Sequence, residues 1–125
     1  MMKRLKLKRT KAERFGKRGE LWASLFLRLK FYQILQKNYK TSVGEIDIIA
    51  KRANSIIFIE VKTRAKKTYL GQALEAVNKR RISKAANFYL AKNPHLADYN
   101  FRFDVIFLAP NALPYHIKGA FDNLE

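Results

Sequence analysis

The chain has 125 residues, of which 48% are hydrophobic and 13% aromatic, so it is long enough for one domain with a real hydrophobic core and is not a disordered chain. Its 26 Lys and Arg against 10 Asp and Glu give a formal net charge of +16 at pH 7. That charge favours a polyanionic partner, with nucleic acid first and an anionic membrane surface second, over a merely solvated basic surface. The absence of cysteine excludes disulfides and thiolate zinc sites and is typical of a cytoplasmic protein.

The N-terminal segment is strongly basic. Residues 3–18 hold nine Lys or Arg and a single acid, Glu13. We therefore expect a basic N-terminal arm over residues 1–14, followed by one domain over residues 15–125.

A first helix is predicted to follow the arm and to end near Lys30. Large apolar residues recur at helical spacing along one stripe: Phe15, Trp22, Phe26 and Leu29. The apolar run at residues 21–27 is too short to span a bilayer, and no small-residue cleavage site follows it. We interpret it as part of a core helix, with no membrane span or signal peptide.

Three strands are predicted next. Residues 31–39 form the first, and residues 44–64 form two more that are joined by a tight turn. The turn is centred on Ala53 and Asn54, because asparagine tolerates a positive φ. Strands joined in this way are antiparallel.

The C-terminal half alternates helix and strand. After a loop at residues 65–71, one helix is predicted from about residue 72 to 92, where Pro94 stops it. Residues 101–108 form a strand, and residues 115–118 form a short last one. Since a helix between two strands permits a parallel crossover, we expect an α/β fold with a mixed sheet flanked by helices, in the order αβββαβ.

Four charged residues interrupt the aliphatic hairpin. With the predicted turn, Asp47 lies directly opposite Glu60, and Glu45 lies opposite Lys62. Opposed carboxylates repel each other unless a cation lies between them. Mg²⁺ or Mn²⁺ would satisfy the pair, and two carboxylates, a lysine and a basic chain suit metal-assisted phosphodiester hydrolysis. The alternative is that these charges form ordinary cross-strand ion pairs.

The sequence also resembles a known family. Seven stretches, in order along most of the chain, resemble the YraN-like family of small bacterial proteins: GKRGE (16–20), QKN (36–38), GEIDIIA (44–50), IFIEVKTR (57–64), EAVNKRRISKAANFYL (75–90), RFDVIF (102–107) and HIKGAF (116–121). That family is similar in turn to the PD-(D/E)xK restriction-endonuclease-like superfamily, and to archaeal Holliday-junction resolvases within it. The resemblance implies a restriction-endonuclease-like three-layer core.

The resemblance also implies roles for individual residues. Asp47 and Glu60 would hold the metal, Lys62 would be catalytic, and Glu20 on the first helix would be a further catalytic and metal-binding acid. The usual Pro-Asp is Ile46-Asp47 here. As an alternative, Glu20 is an ordinary first-turn acid that the helix dipole favours.

Other residues are assigned weaker roles. Glu45 is either a further ligand or a partner of Lys62, and Gln72 either lies by the site or is a solvent-facing helix start. Asp104, beside Arg102 in a buried-looking strand, is interpreted as structural, with a supporting role at the site as the alternative. Basic residues expected to form a phosphate-binding surface are Arg64, Lys66, Lys67, Lys79, Arg80, Arg81 and Lys84.

These observations lead to one main hypothesis and two alternatives. The main one is a Mg²⁺- or Mn²⁺-dependent endonuclease that acts on DNA, with branched DNA suggested by the resolvase likeness. The second is a catalytically silent nucleic-acid-binding module with the same fold. The third, ranked last, is a protein held on anionic membranes by its basic arm. Because resolvases work as dimers, the resemblance adds a homodimer as an alternative to a monomer.

Overall fold

The computed structural model describes residues 11–124. Over that range the helices and strands are α1 (Lys11–Leu29), β1 (Gln33–Lys40), β2 (Glu45–Arg52), β3 (Ser55–Thr63), α2 (Leu70–Glu75), α3 (Lys79–Lys92), β4 (Asn100–Leu108) and β5 (Tyr115–Phe121). The predicted α/β class is confirmed. Residues 1–10 of the predicted arm lie outside the described residues, and α1 already includes residues 11–14. None of the helices within this range combines the length and apolar character that a membrane span requires.

The strands of the described range form one mixed sheet in the order β1-β2-β3-β4-β5. Neighbouring strands are antiparallel except β3 and β4, which are parallel and are connected through α2 and α3. The β2–β3 turn lies at Ala53 and Asn54 as predicted, but the positive φ of 53° belongs to Ala53. The positive φ was therefore assigned to the wrong residue, although the position of the turn and the resulting register were predicted correctly.

Helices cover both faces of the sheet, which gives three layers. On one face, α1 buries Ala23 and Leu27 against β-strand residues such as Ile57. On the other face, α3 buries Ile82 and Tyr89 among the remaining core residues. In the described part of the chain the sheet therefore separates the two main apolar cores, as an α/β sandwich requires, and a third, smaller cluster consists of Ala73, Phe107 and Ala109.

The buried side of α1 differs from the predicted stripe. Ala23 and Leu27 are fully buried, whereas Trp22 and Leu29 are 61% and 80% exposed. Small residues on the inner side let the helix approach the sheet closely, because a Cβ on Gly19 would overlap the Thr63 side chain. The prediction was wrong since it followed the largest apolar residues. Of the predicted stripe, Phe26 is half-buried against this core, and the Phe15 side chain lies outside the described part.

The predicted helix over residues 72–92 is two helices. A short 3₁₀ turn at Lys67–Tyr69 leads into α2. The helix is interrupted after residue 75, and α3 begins at Lys79. Val77 is buried in the break, and the side chain of Asn78 accepts a hydrogen bond of 3.1 Å from the Arg81 N–H. Asparagine is a favoured N-cap residue, so Asn78 is the local cause of the new helix start.

Candidate functional site

The candidate site lies where the β2–β3 hairpin leaves its regular pairing. The register runs from Arg52 opposite Ser55 to Ile48 opposite Ile59, as the predicted turn requires. One step further, the Asp47 Oδ2 atom accepts a hydrogen bond of 2.8 Å from the Val61 N–H. The side chain of Asp47 is thereby fixed beside the neighbouring strand.

Asp47 and Glu60 form a pair of neighbouring carboxylates. Burial, followed by the negative charge of Glu60, raises the pKa of Asp47 from its ordinary value of 3.8 to about 7. The hydrogen bond from Val61 and the positive charge of Lys62 act in the opposite direction. The pair thus holds less negative charge near neutral pH than two free carboxylates, and a cation beside it would favour the fully ionised form.

Lys62 belongs to the same group of side chains. Its Nζ atom lies 3.3 Å from the Glu60 Oε2 atom, and both side chains are 17% exposed. The two residues share a face because they are two positions apart on β3. Val61 between them packs towards the core under α1, so Glu60 and Lys62 lie on the α2–α3 face.

Glu20 lies on α1, on the opposite face of the sheet from Glu60 and Lys62. It follows Gly19 on α1, which packs on the opposite face, and its side chain is half-buried. Among the side chains that the structure describes, residues 18–124, no three His, Asp or Glu are grouped so that they could hold a metal ion. The metal-binding and catalytic roles of Glu20 therefore stay predictions.

The two weaker candidates are both exposed. Glu45 begins β2 opposite Lys40 of β1, while Lys62 has its ion pair with Glu60. Gln72 lies within α2, two residues after the helix begins, so it does not open that helix as predicted.

The predicted basic surface falls into two parts. Arg64 is half-buried and donates from Nη1 to the Thr63 carbonyl at 2.8 Å, and Lys66 and Lys67 follow it as exposed residues. The second part, here called the α3 basic cluster, consists of four exposed residues: Lys79, Arg80, Arg81 and Lys84.

A glycine sets the α3 basic cluster close to the carboxylate pair. A Cβ on Gly44 would overlap the carbonyl group of Arg81, so the backbone of α3 touches the chain three residues before Asp47. Only glycine permits such an approach. The first turn of α3 is therefore held at the start of β2, the strand that carries Asp47.

Asp104 is the centre of a buried network on the other face of the sheet. It is fully buried and accepts hydrogen bonds from Arg102 Nε and Nη2 at 2.7 and 2.8 Å, and from the Gly119 N–H at 3.0 Å. His116 Nε2 lies 2.7 Å from it, and Arg102 also donates to the Tyr32 hydroxyl at 3.0 Å. Burial alone would raise the pKa of Asp104, but the hydrogen bonds from His116, Arg102 and Gly119 hold it below the ordinary value. The sequence indicated the Arg102–Asp104 contact but not His116, Tyr32 or Gly119.

Fold and site together define a class: a strongly basic α/β protein with a carboxylate pair and a lysine at the end of a β-hairpin. A model of "Uncharacterised protein family UPF0102" matches residues 19–108, and the chain belongs to this family. The YraN-like family predicted from the sequence is thereby confirmed.

Relatives of similar length support the assignment. A UPF0102 protein of Bradyrhizobium diazoefficiens is 43% identical over 114 residues, which cover 91% of this chain and 86% of the relative. One from Agrobacterium fabrum is 43% identical over 117 residues, with 91% and 93% covered. One from Chelativorans is 40% identical over 119 residues, with 93% and 94% covered.

Proposed function

We propose that the protein is a Mg²⁺- or Mn²⁺-dependent endonuclease that hydrolyses phosphodiester bonds in DNA, in the cytoplasm. The observation that carries the proposal is the pairing of Asp47 with Glu60 beside Lys62. A structural ion pair needs one acid and one base, whereas here a second acid is held in place by a backbone N–H although its charge is disfavoured. An acid kept at such a cost is typical of a functional site.

The donor set suits a hard divalent cation. Mg²⁺ prefers oxygen ligands and is usually bound through one or two carboxylates, with waters and substrate phosphate as the other ligands. Asp47 and Glu60 would hold it. When bound, the cation would polarise the phosphoryl oxygen and lower the pKa of a coordinated water.

The chain's own residues have separate tasks in this proposal. The Val61 N–H holds Asp47 in one orientation. The Lys62 ammonium, now beside Glu60, orients a water or neutralises charge that develops on the phosphate. The α3 basic cluster, together with Arg64, Lys66 and Lys67, binds the DNA backbone without reading its sequence.

One observation favours the second candidate, a DNA-binding module that does not cleave. In the Lys62–Glu60 ion pair the lysine itself neutralises one of the two acids, which is what a retained but silent site would need. In the first candidate Asp47 and Lys62 are needed for metal binding and cleavage, whereas in the second they contribute only to stability.

Calorimetric titration with Mn²⁺ and cleavage of a DNA panel that includes a four-way junction would test the proposal. We expect Asp47→Asn to abolish Mn²⁺ binding and to slow cleavage roughly 100-fold or more. Lys62→Met should keep Mn²⁺ binding and lose cleavage. Asp98→Asn, at an exposed acid, is the matched control and should behave as the wild type does.

Mn²⁺ binding that is equal in the wild type and Asp47→Asn would contradict the metal site. If the wild type binds the junction tightly, takes up no Mn²⁺ and cleaves nothing on the panel, the protein is the binding module. If the wild type binds no DNA, both candidates fail.

A further inference from the structure

A concave site lies at the same end of the sheet as the carboxylate pair, on the α1 side. An open cavity of about 340 Å³ separates α1 from the loop that follows β4. Gly19 and Trp22 form its α1 wall, and Leu108, Pro110 and Pro114 form the other. Trp22 is 61% exposed, so a large part of its ring system can receive a ligand.

This cavity adjoins the carboxylate pair through consecutive residues. Gly19 packs on the side chain of Thr63, the residue after Lys62. Leu108 lies opposite Thr63 in the parallel β3–β4 register and accepts a hydrogen bond of 3.0 Å from the Arg64 N–H. The cavity and the candidate site therefore share one end of these two strands, on opposite faces, and one extended polymer can cross from the first to the second.

The surroundings of the cavity are mainly cationic while its lining is apolar. Among the residues whose side chains the structure describes, none that lines it is charged. Arg18 precedes Gly19 and is exposed, Arg64 adjoins Leu108, and Lys67 lines the next groove along. One acid, Glu20, lies on the same stretch of α1 and is half-buried. An apolar slot with an indole wall and a basic rim has the chemistry of a base that is joined to a phosphate backbone.

We propose that this cavity takes an unstacked nucleobase, with Trp22 as the surface on which the base stacks. The inference rests on the proposed function, because the base belongs to the strand whose phosphate lies at the carboxylate pair. Apart from the Trp22 indole, the lining side chains that the structure describes are apolar and cannot hydrogen-bond a base edge, so the site selects unpaired over paired bases and not one base over another. The substrate class is thus DNA with unpaired nucleotides beside the cleaved phosphate.

Trp22 is the only tryptophan, so its fluorescence reports on this cavity alone. Oligothymidylate and a blunt duplex of equal length would each be titrated into the full chain, with anisotropy of a labelled strand as an independent measure of binding. We expect oligothymidylate to quench Trp22 fluorescence. Trp22→Ala should weaken oligothymidylate binding about tenfold or more and leave duplex binding unchanged.

Two further variants separate stacking from a change in fold or charge. Trp22→Phe should keep most of the affinity, since it keeps an aromatic face. Leu29→Ala, at an exposed apolar residue of the same helix, should have no effect. The dependence of log K on log salt should be the same in Trp22→Ala as in the wild type, because an uncharged side chain neutralises no phosphate.

Oligothymidylate that binds without quenching Trp22, and equally well to Trp22→Ala, would overturn this inference and leave the proposed function standing. Equal losses of affinity for oligothymidylate and duplex would also overturn it. A wild type that binds neither DNA in either measurement would remove the proposed function itself.

Discussion

Two aspartates, the half-buried Asp47 and the fully buried Asp104, lie in opposite electrostatic surroundings. Asp104 has a guanidinium, an imidazole and a backbone N–H as partners. Asp47 has one backbone N–H and a second carboxylate. Both are desolvated, yet the pKa of Asp104 is lowered while that of Asp47 is raised to about 7. The first environment stabilises the charged carboxylate, and the second disfavours it.

The raised pKa of Asp47 predicts how stability depends on pH when no metal is present. A carboxyl whose pKa is higher in the folded state stabilises the fold fully below its unfolded value of 3.8, and that contribution is lost as the pH rises through about 7. Urea unfolding between pH 4 and pH 8 in EDTA should therefore show this loss in the wild type and not in Asp47→Asn. Parallel curves for the two proteins would contradict the carboxylate pair, and Asp98→Asn should follow the wild type.

The Asp104 network predicts the opposite sign. Asp104→Asn removes a buried charge that is paired with the Arg102 guanidinium and also contacts His116, and should cost about 3 kcal/mol at pH 7. Because the folded-state pKa of Asp104 is lowered, its contribution is present above the ordinary pKa and is lost as the pH falls. Urea unfolding at pH 7 and pH 3 should thus show a difference from the wild type that shrinks on acidification. Asp122→Asn, at an exposed acid, is the control, and an equal cost at both pH values would argue against the network.

At the scale of whole elements, the contact between α3 and the start of β2 depends on one glycine. Gly44→Ala would force a Cβ into the Arg81 carbonyl and should cost about 2 kcal/mol or more. The control is Gly71→Ala in α2, where a Cβ meets open space. This substitution should increase the free energy of unfolding by as much as about 1 kcal/mol. Chemical denaturation of both variants measures the contrast. Equal effects of the two substitutions would mean that α3 does not pack against Gly44.

The elements that could be predicted from the sequence are those set by local signals. Apolar alternation and a two-residue turn fixed the hairpin register, and with it the meeting of Asp47 and Glu60. The inner face of α1 could not be predicted in this way, because the sheet accepts Gly19 and Ala23 while the larger Trp22 stays outside. Side-chain size indicates burial only when the distance between two layers is known.

The remaining features depend on residues that are distant in the chain. The network around Asp104 joins Arg102, His116 and, through Arg102, Tyr32. Three strands and two helices separate Tyr32 from Arg102 in the chain. The break before α3 had a local signal, Asn78, but an apolar pattern that continues on both sides concealed it. The basic residues that follow Asn78 were recognised, whereas their position beside β2 required the fold.

For the molecule as a whole, the formal net charge of +16 destabilises the compact state through self-repulsion. A charge of this size therefore calls for a functional explanation. The α3 basic cluster shows the same destabilising effect within a single helix. Three of its cations occupy the first turn of α3, which carries no acid, although the helix dipole disfavours positive charge there. The proposed DNA ligand would offset this cost, because its phosphates would lie beside the cations of the α3 basic cluster.

This conflict gives a prediction in which affinity and stability change in opposite directions. Replacing Arg80, Arg81 and Lys84 with Gln should reduce the slope of log K against log salt for duplex DNA by roughly one for each phosphate that these side chains neutralise. The same variant should unfold at a higher temperature, because two of these charges leave the helix N-terminus. Anisotropy titrations over a salt series and calorimetric melting would measure both changes. The control replaces Lys37, Lys40 and Lys118, exposed on other elements, with Gln. It removes the same net charge, so an equal fall in slope would mean that the DNA responds to total charge and not to the cluster beside the carboxylate pair.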